Sequence, residues 1–397
     1  MNFPSPPALR GSCPAIDGPH YSPPPATLLL ALHIVLARRR PAKIIVAMRV
    51  MFDFAHPAHV NFLKRLVYRL RDEGHDVHLV CLRRGKVPRI AAEEFPDFTV
   101  TPVGTHARTR LGLYLRTGLL REVQLARVLR RIRPDVVVGV AVFQAAMLGR
   151  WLGFRSLGVT DDPEHTMVFK LSRKYLDRFL LPECLGESAP NIVTWRGLKE
   201  WAYLSPEHFR PDESILADHG LTAGEYIFIR DVETVSLNYR KQTENNILRL
   251  YQAGLRKQKV VLSLENKALA ERFAGWHILQ ELVRDIHSLI YFSRLAISSG
   301  DSMSREAAEL GVESFYCGRR AMRSNQAMID LGMLHHEMDI ETILAAASAS
   351  PPADIETRQR DRREKLQSLW EDPTEVLYQN LMELGGQKKK REGDYTD

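Results

Sequence analysis

Met48–Cys81, MRVMFDFAHPAHVNFLKRLVYRLRDEGHDVHLVC, is the stretch from which the fold class can be read. It opens with a short apolar run, Met48–Phe54, and closes with another, Val77–Cys81. Both read as buried strands of a parallel sheet. Between them, Val60–Glu73 carries Phe62, Leu63, Leu66, Val67 and Leu70 at i, i+3, i+4 spacing, one apolar stripe of a helix. Gly74 stops that helix and His75-Asp76 leads into the next strand. A strand, a helix and a strand with short joints argue for a doubly wound α/β sheet.

The alternation continues outward. Phe98–Val103, Val136–Val140 and Ser156–Thr160 read as further strands, separated by helices over Val87–Glu94, Leu111–Arg133 and Ala145–Leu152. Pro182–Gly220 has weak periodicity and reads as a connection. A second unit then follows, with strands at Tyr226–Arg230, Val260–Leu264, Leu295–Ser298 and Ser314–Tyr316, and helices at Glu244–Gln258, Asp285–Phe292 and Ser302–Leu310. The expected organisation is an extension over 1–47, domains over 48–210 and 211–350, and helices with a basic tail over 351–397. In Leu111–Arg133 the expected core face is Leu119, Leu120, Val123, Ala126, Leu129 and Ile132, with Arg121, Arg127, Arg130 and Arg131 outward. That basic face reads either as solvated or as a peripheral contact with an anionic membrane surface.

The chain has 397 residues, enough for two domains, and a composition ordinary for globular proteins. Lys plus Arg is 55 against 48 Asp plus Glu, a net charge of +7. Residues 1–47 supply +4 of it, which leaves no dedicated nucleic-acid footprint elsewhere. The four cysteines stand far apart without a CxxC, as expected of thiols in a reducing, cytoplasmic compartment. Residues 1–47 hold nine of the 22 prolines, and their apolar run Ala26–Ala37 is shorter than the roughly 20 residues of a spanning helix. Its arginines, Arg38–Arg40, follow the apolar run instead of preceding it, unlike a signal peptide. The domain proper is expected to begin near Met48, which would also suit a misassigned start codon.

Loops after the strands are where open α/β sheets collect ligands. In ISSGDSMSREAAELGV, 297–312, a strand ends in small residues and a helix starts at once. Free N–H groups at such a start suit a diphosphate, and Glu306, one turn in, suits ribose hydroxyls. A tight turn capped by Ser302 is the plainer reading. Neither a GxGxxG nor a GxxxxGKS motif is present. DFAHPAHVN, 53–61, offers His59 as an acid/base or phosphate partner, and no ligand pattern for a metal converges there. TDDPEH, 160–165, adds paired carboxylates and His165 on the same side, or a simple turn before Pro163.

Several blocks together resemble a known family of uncharacterised proteins described as predicted glycosyltransferases (domain of unknown function 354). It is related to UDP-N-acetylglucosamine 2-epimerase and other GT-B proteins. The blocks are FDFAHPAHVNFLKRL, VTDDPEHTMVFKLSRKYLDRFLLP, GLKEWAYLSPEHFRPDESILADHGL, YIFIRDVE and SSGDSMSREAAELGV. The resemblance implies two Rossmann-like domains facing a cleft, with final helices crossing back onto the N-terminal one. It implies a nucleotide-diphosphate sugar as substrate, an unknown acceptor and no further cofactor. It places the donor on Arg230, Ser299, Gly300, Asp301, Ser302, Met303 and Glu306, and acid/base work on His59, Asp162 or His165. Asp301 stands where the family has its second glycine, and a carboxylate there would repel or replace a diphosphate. Sugar transfer in polysaccharide or glycoconjugate synthesis, non-hydrolysing 2-epimerisation, and a degenerate non-catalytic binding protein all follow from this pattern as readings.

Overall fold

The computed structural model describes residues 47–105, 120–140, 142–164, 166–232, 245–279, 283, 285–350 and 354–386. Two parallel sheets form. The first runs β3-β2-β1-β4-β5-β6-β7, with β1 Arg49–Phe54, β2 Asp76–Arg83, β3 Val100–Thr105, β4 Val136–Val140, β5 Arg155–Val159, β6 Arg178–Pro182 and β7 Ile192–Trp195. The second runs β10-β9-β8-β11-β12-β13, with β8 Ile227–Asp231, β9 Val260–Leu264, β10 His277–Ile278, β11 Leu295–Ser298, β12 Ser314–Tyr316 and β13 Leu334–His336. Each order reverses direction once, between β1 and β4 and between β8 and β11, and the crevice for a ligand opens at those switch points.

The helix Pro57–Asp72 shows why the strands come out parallel. Its stripe of Val60, Phe62, Leu63, Leu66, Val67 and Leu70 is wholly buried against β1, β2 and β4. Each such side chain contributes about 1.5–3 kcal/mol of transfer free energy, so the helix stays on the sheet and carries the chain back to the start of β2. Pro57 opens the helix at a position where no amide is needed. Gly139 in β4 has a packing reason: a Cβ there would meet the Asp53 carbonyl oxygen at 2.7 Å.

Two expectations need correction. The helix Arg121–Ile132 buries Arg121, Leu125 and Leu129, whereas Leu120 is 53% and Val123 44% exposed. Its inward face is therefore displaced from the one expected, because Arg121 is drawn in by Asp53; Leu119 lies outside the described residues. The stretch read as a connection also contains β7, whose Trp195 pairs with Pro182 of β6. A four-residue edge strand has too few positions to show a period.

The last two helices divide between the sheets. Ile355–Leu369 lays Leu366 against Ala308, Tyr316 and Met328 of the second unit. Asp372 then caps Pro373–Gly385 by accepting the Thr374 amide, and Leu377, Leu381 and Leu384 join the core of the first. Among the described residues no helix is long and apolar enough to cross a membrane.

Candidate functional site

Both switch points carry polar side chains. At the first, Asp53 stands one residue before the end of β1 beside Gly139 of β4, and both its oxygens accept from Arg121 at 2.7 Å in a buried pair. Arg121 also donates to Gln144 at 2.6 Å. The next residues turn into the helix Pro57–Asp72. His56 Nδ1 accepts from the Ala58 amide at 3.3 Å, and His59 Nδ1 accepts from the Ala55 amide at 3.2 Å. A nitrogen that accepts cannot carry the proton, so in each neutral ring the hydrogen sits on Nε2. Loss of water, then the cations Arg84 and Lys199, lower the His56 pKa to about 4. Burial, His56 and Lys199 hold His59 well below the usual histidine value. His59 is therefore a neutral hydrogen-bond donor at ordinary pH.

At the second switch point Arg230, the penultimate residue of β8, pairs with Ser263 of β9 and Ser298 of β11. Its guanidinium donates to Ser263 Oγ at 3.0 Å and lies 3.6 Å from Glu265. Ser299 Oγ donates to Asp231 at 2.9 Å and accepts the Val232 amide. Gly300 precedes the helix Asp301–Glu309, and its amide bonds Ser298 Oγ at 3.0 Å. Asp301 is buried; one oxygen accepts the Ser302 amide at 2.8 Å and the other accepts from Arg320 at 2.8 Å. Arg320 also binds Asp162, so it bridges the two sheets' loops. Met303 packs against the apolar cluster of Leu204, Leu289 and Ala307. Glu306 accepts from Tyr203 at 2.7 Å and lies 3.5 Å from His287. Burial opposes its charge, but these partners outweigh it and lower its pKa.

Thus His59, Asp162, Arg230, Ser299, Gly300, Asp301 and Ser302 stand at or just beyond strand ends, Glu306 lies buried deeper in its helix against Tyr203 and His287, and His165 lies outside the described residues. Asp162, Asp301 and Glu306 are already engaged by protein partners. Among the described residues no three His, Cys, Asp or Glu side chains gather as metal ligands.

Sequence reasoning missed a third group. Arg305, 1% exposed, donates to Asp161 and Glu200 at 2.8 Å each and to Asn325 at 2.7 Å. Lys199 binds the same Asp161 and, at 3.0 Å, the same Glu200. Burial resists each of these charges, but the cations hold Asp161 well below the carboxylate range and the carboxylates hold Lys199 up. Among the described residues neither oxygen of buried Glu309 has a hydrogen-bond partner, and burial together with the Glu200 charge pushes its pKa well above normal. Asp161 follows β5, Lys199-Glu200 belong to the connection, and Arg305 belongs to the second unit, so the lattice ties all three together. Its one signal in sequence was charge on both sides of the helix Asp301–Glu309, which no solvated helix face explains.

Solved structures share this architecture. UDP-N-acetylglucosamine 2-epimerase from Neisseria meningitidis bound to UDP-GlcNAc aligns with a TM-score of 0.57 at 12% identity, covering 85% of this chain and 100% of that one. The spinosyn forosaminyltransferase SpnP aligns at 0.53 and 17% identity, covering 86% and 100%. The fold is GT-B-like on this likeness. The uncharacterized protein MJ0665 of Methanocaldococcus jannaschii is 22% identical over 311 residues, 74% of this chain and 89% of its own length. The model for proteins of unknown function DUF354 matches residues 48–385, nearly the whole described chain, and this protein belongs to that family.

Proposed function

We propose that the protein holds a nucleotide-diphosphate sugar in the cleft between its sheets and transfers the sugar to an acceptor, in polysaccharide or glycoconjugate synthesis. The observation that carries this reading is the pairing of donor groups across the cleft. His59 offers Nε2–H from the first turn of the helix that follows β1, and Arg230 a guanidinium from the penultimate position of β8. Negative charge grows on the leaving diphosphate, and fixed donors aimed at it are the main catalytic resource of such a reaction. His59 would act there as a donor to the leaving group or a sugar oxygen, since its pKa leaves it a poor base. The fold similarity to a 2-epimerase bound to UDP-GlcNAc and to a glycosyltransferase supports the substrate class.

Epimerisation is the competing reading, and it needs a free carboxylate to take the proton at the sugar's C2. Asp53, Asp161, Asp162, Asp301 and Glu306 are each bound by cations or donors, which favours transfer. The test is incubation of the full chain with a panel of nucleotide sugars, with and without an extract of envelope glycans. Free nucleoside diphosphate that forms only with the extract supports transfer. An isomerised nucleotide sugar replaces transfer by epimerisation, and absence of any thermal shift across the panel overturns both.

A further inference from the structure

Beyond its charge acting on the histidines, Arg84 has no part in the sites described so far. It lies three residues past the last β1–β2 pair and directly after β2, at the head of the turn Arg84-Gly85-Lys86 that leaves the first sheet beside the histidine loop. The register places Phe54, the end of β1, against Cys81, two residues before the end of β2, so the segments after the two strands leave the same carboxyl edge side by side. Arg84 is half-buried, and among the described residues its guanidinium makes no hydrogen bond, although its charge reaches His56, His59 and Glu265. Other arginines of the cleft differ: Arg121, Arg305 and Arg320 each bind carboxylates. A half-dehydrated guanidinium with unused donors is costly unless a ligand completes it.

His56 faces the same space. Its Nδ1 is taken by the Ala58 amide, which leaves Nε2–H as a donor, and its charge environment includes both Arg84 and Arg230. Arg230 arrives from the opposite sheet with, among the described residues, only Ser263 Oγ at hydrogen-bond distance, and Glu265 at 3.6 Å balances part of the positive charge. The helix start at Gly300, by contrast, is filled by the carboxylate of Asp301 and by Arg320.

The geometry points to a phosphate or diphosphate clamp in which Arg84 and His56 Nε2–H, from the first sheet, close on an anion that Arg230 holds from the second. The clamp rests on the nucleotide-sugar reading for the identity of its ligand, and it moves the anion away from the helix start to the N-terminal rim. A planar guanidinium suits two phosphate oxygens at once, which a lysine cannot reproduce.

Isothermal titration of the full chain with pyrophosphate and with UDP tests the clamp, using wild type, Arg84→Gln, Arg84→Lys and, as a control of equal charge change, Arg89→Gln. Arg89 is exposed and, among the described residues, pairs only with Glu93 along its own helix. Arg84→Gln is expected to weaken both ligands about tenfold or more, the loss of one charged hydrogen-bonding partner. Arg84→Lys should recover part of that loss, and Arg89→Gln should match wild type. Melting temperatures of the variants, read alongside, separate lost contacts from lost fold. Pyrophosphate binding that depends on Arg84, in a protein that ignores every nucleotide sugar, upholds the clamp and removes the nucleotide-sugar reading. UDP binding that is indifferent to Arg84→Gln upholds that reading and overturns the clamp. Absence of pyrophosphate and UDP binding in wild type overturns the clamp as well.

Discussion

Two groups of charged residues lie at the strand ends of this protein, and they have opposite fates. In the lattice of Asp161, Lys199, Glu200 and Arg305, every charged side chain meets an opposite charge, and the whole is buried. On the rim formed by His56, Arg84 and Arg230, donors outnumber acceptors and water reaches the side chains. The presence of arginine does not separate the two, since Arg305 belongs to the lattice and Arg84 and Arg230 to the rim. Saturation separates them. A saturated lattice holds three parts of the chain in register, and an unsaturated rim is where a ligand gains most by binding.

The largest expected effect is on the saturated side. Arg305→Leu leaves Asp161 and Glu200 short of a buried partner and should cost about 3–5 kcal/mol in urea denaturation. A loss below about 1 kcal/mol would mean that Lys199 alone satisfies both carboxylates, and the contrast would weaken. Next comes the open side: His59→Ala should lower turnover about a hundredfold while nucleotide-sugar binding persists. Because His59 is neutral well below pH 6.5, the wild-type rate should show no histidine titration between pH 6 and 8. A bell with a limb near pH 6.5 would return His59 to the role of base.

A smaller effect concerns Glu309. Its pKa is raised in the folded protein, so above about pH 4.3 the native state keeps a proton that the unfolded chain releases. Stability must then fall as pH rises across that window. Asp161 and Glu306, with lowered pKa values, add stability that is lost only on acidification and is constant from pH 5 upward. Glu309→Gln should therefore lose less stability than wild type between pH 5 and pH 8 in paired denaturant titrations. Parallel pH curves for the two proteins would show that the Glu309 carboxyl is not held protonated.

The smallest effect on stability belongs to Asp301→Gly. Its buried carboxylate holds the Ser302 amide and Arg320, but Arg320 keeps Asp162, so the loss should stay at about 1 kcal/mol, and freeing that side of Arg320 should open the helix start to anions. Tighter pyrophosphate binding would sharpen the comparison by showing that this carboxylate saturates a second anion site. Unchanged affinity would make Asp301 a structural cap whose partner Arg320 serves only to join the loops.

Much of the first sheet was legible because its helices and strands announce themselves locally. The apolar spacing of Val60–Glu73 and the run VVVGV need no tertiary information, since buried stripes and buried strands have different periods. The candidate loops were legible for a related reason: parallel strands joined by helices put every following loop on one edge. Positions such as His59, Arg230 and Asp301 could be named from that rule together with the motif resemblance. The orientation of Arg121–Ile132 was not legible, because a single buried contact between Arg121 and Asp53 outweighed a stripe drawn from hydrophobicity.

Local periodicity, then, determined that the chain alternates strands and helices and on which edge its chemistry must lie. The tertiary structure decided which charges are spent on each other. Asp161, Lys199, Glu200 and Arg305 are up to 144 residues apart, and no local rule ranks one long-range partner above another. Whether a given arginine meets a carboxylate or open space depends on how two sheets and a connection pack. Coulomb energy, which varies with distance and burial, is computed over that arrangement and not along the sequence.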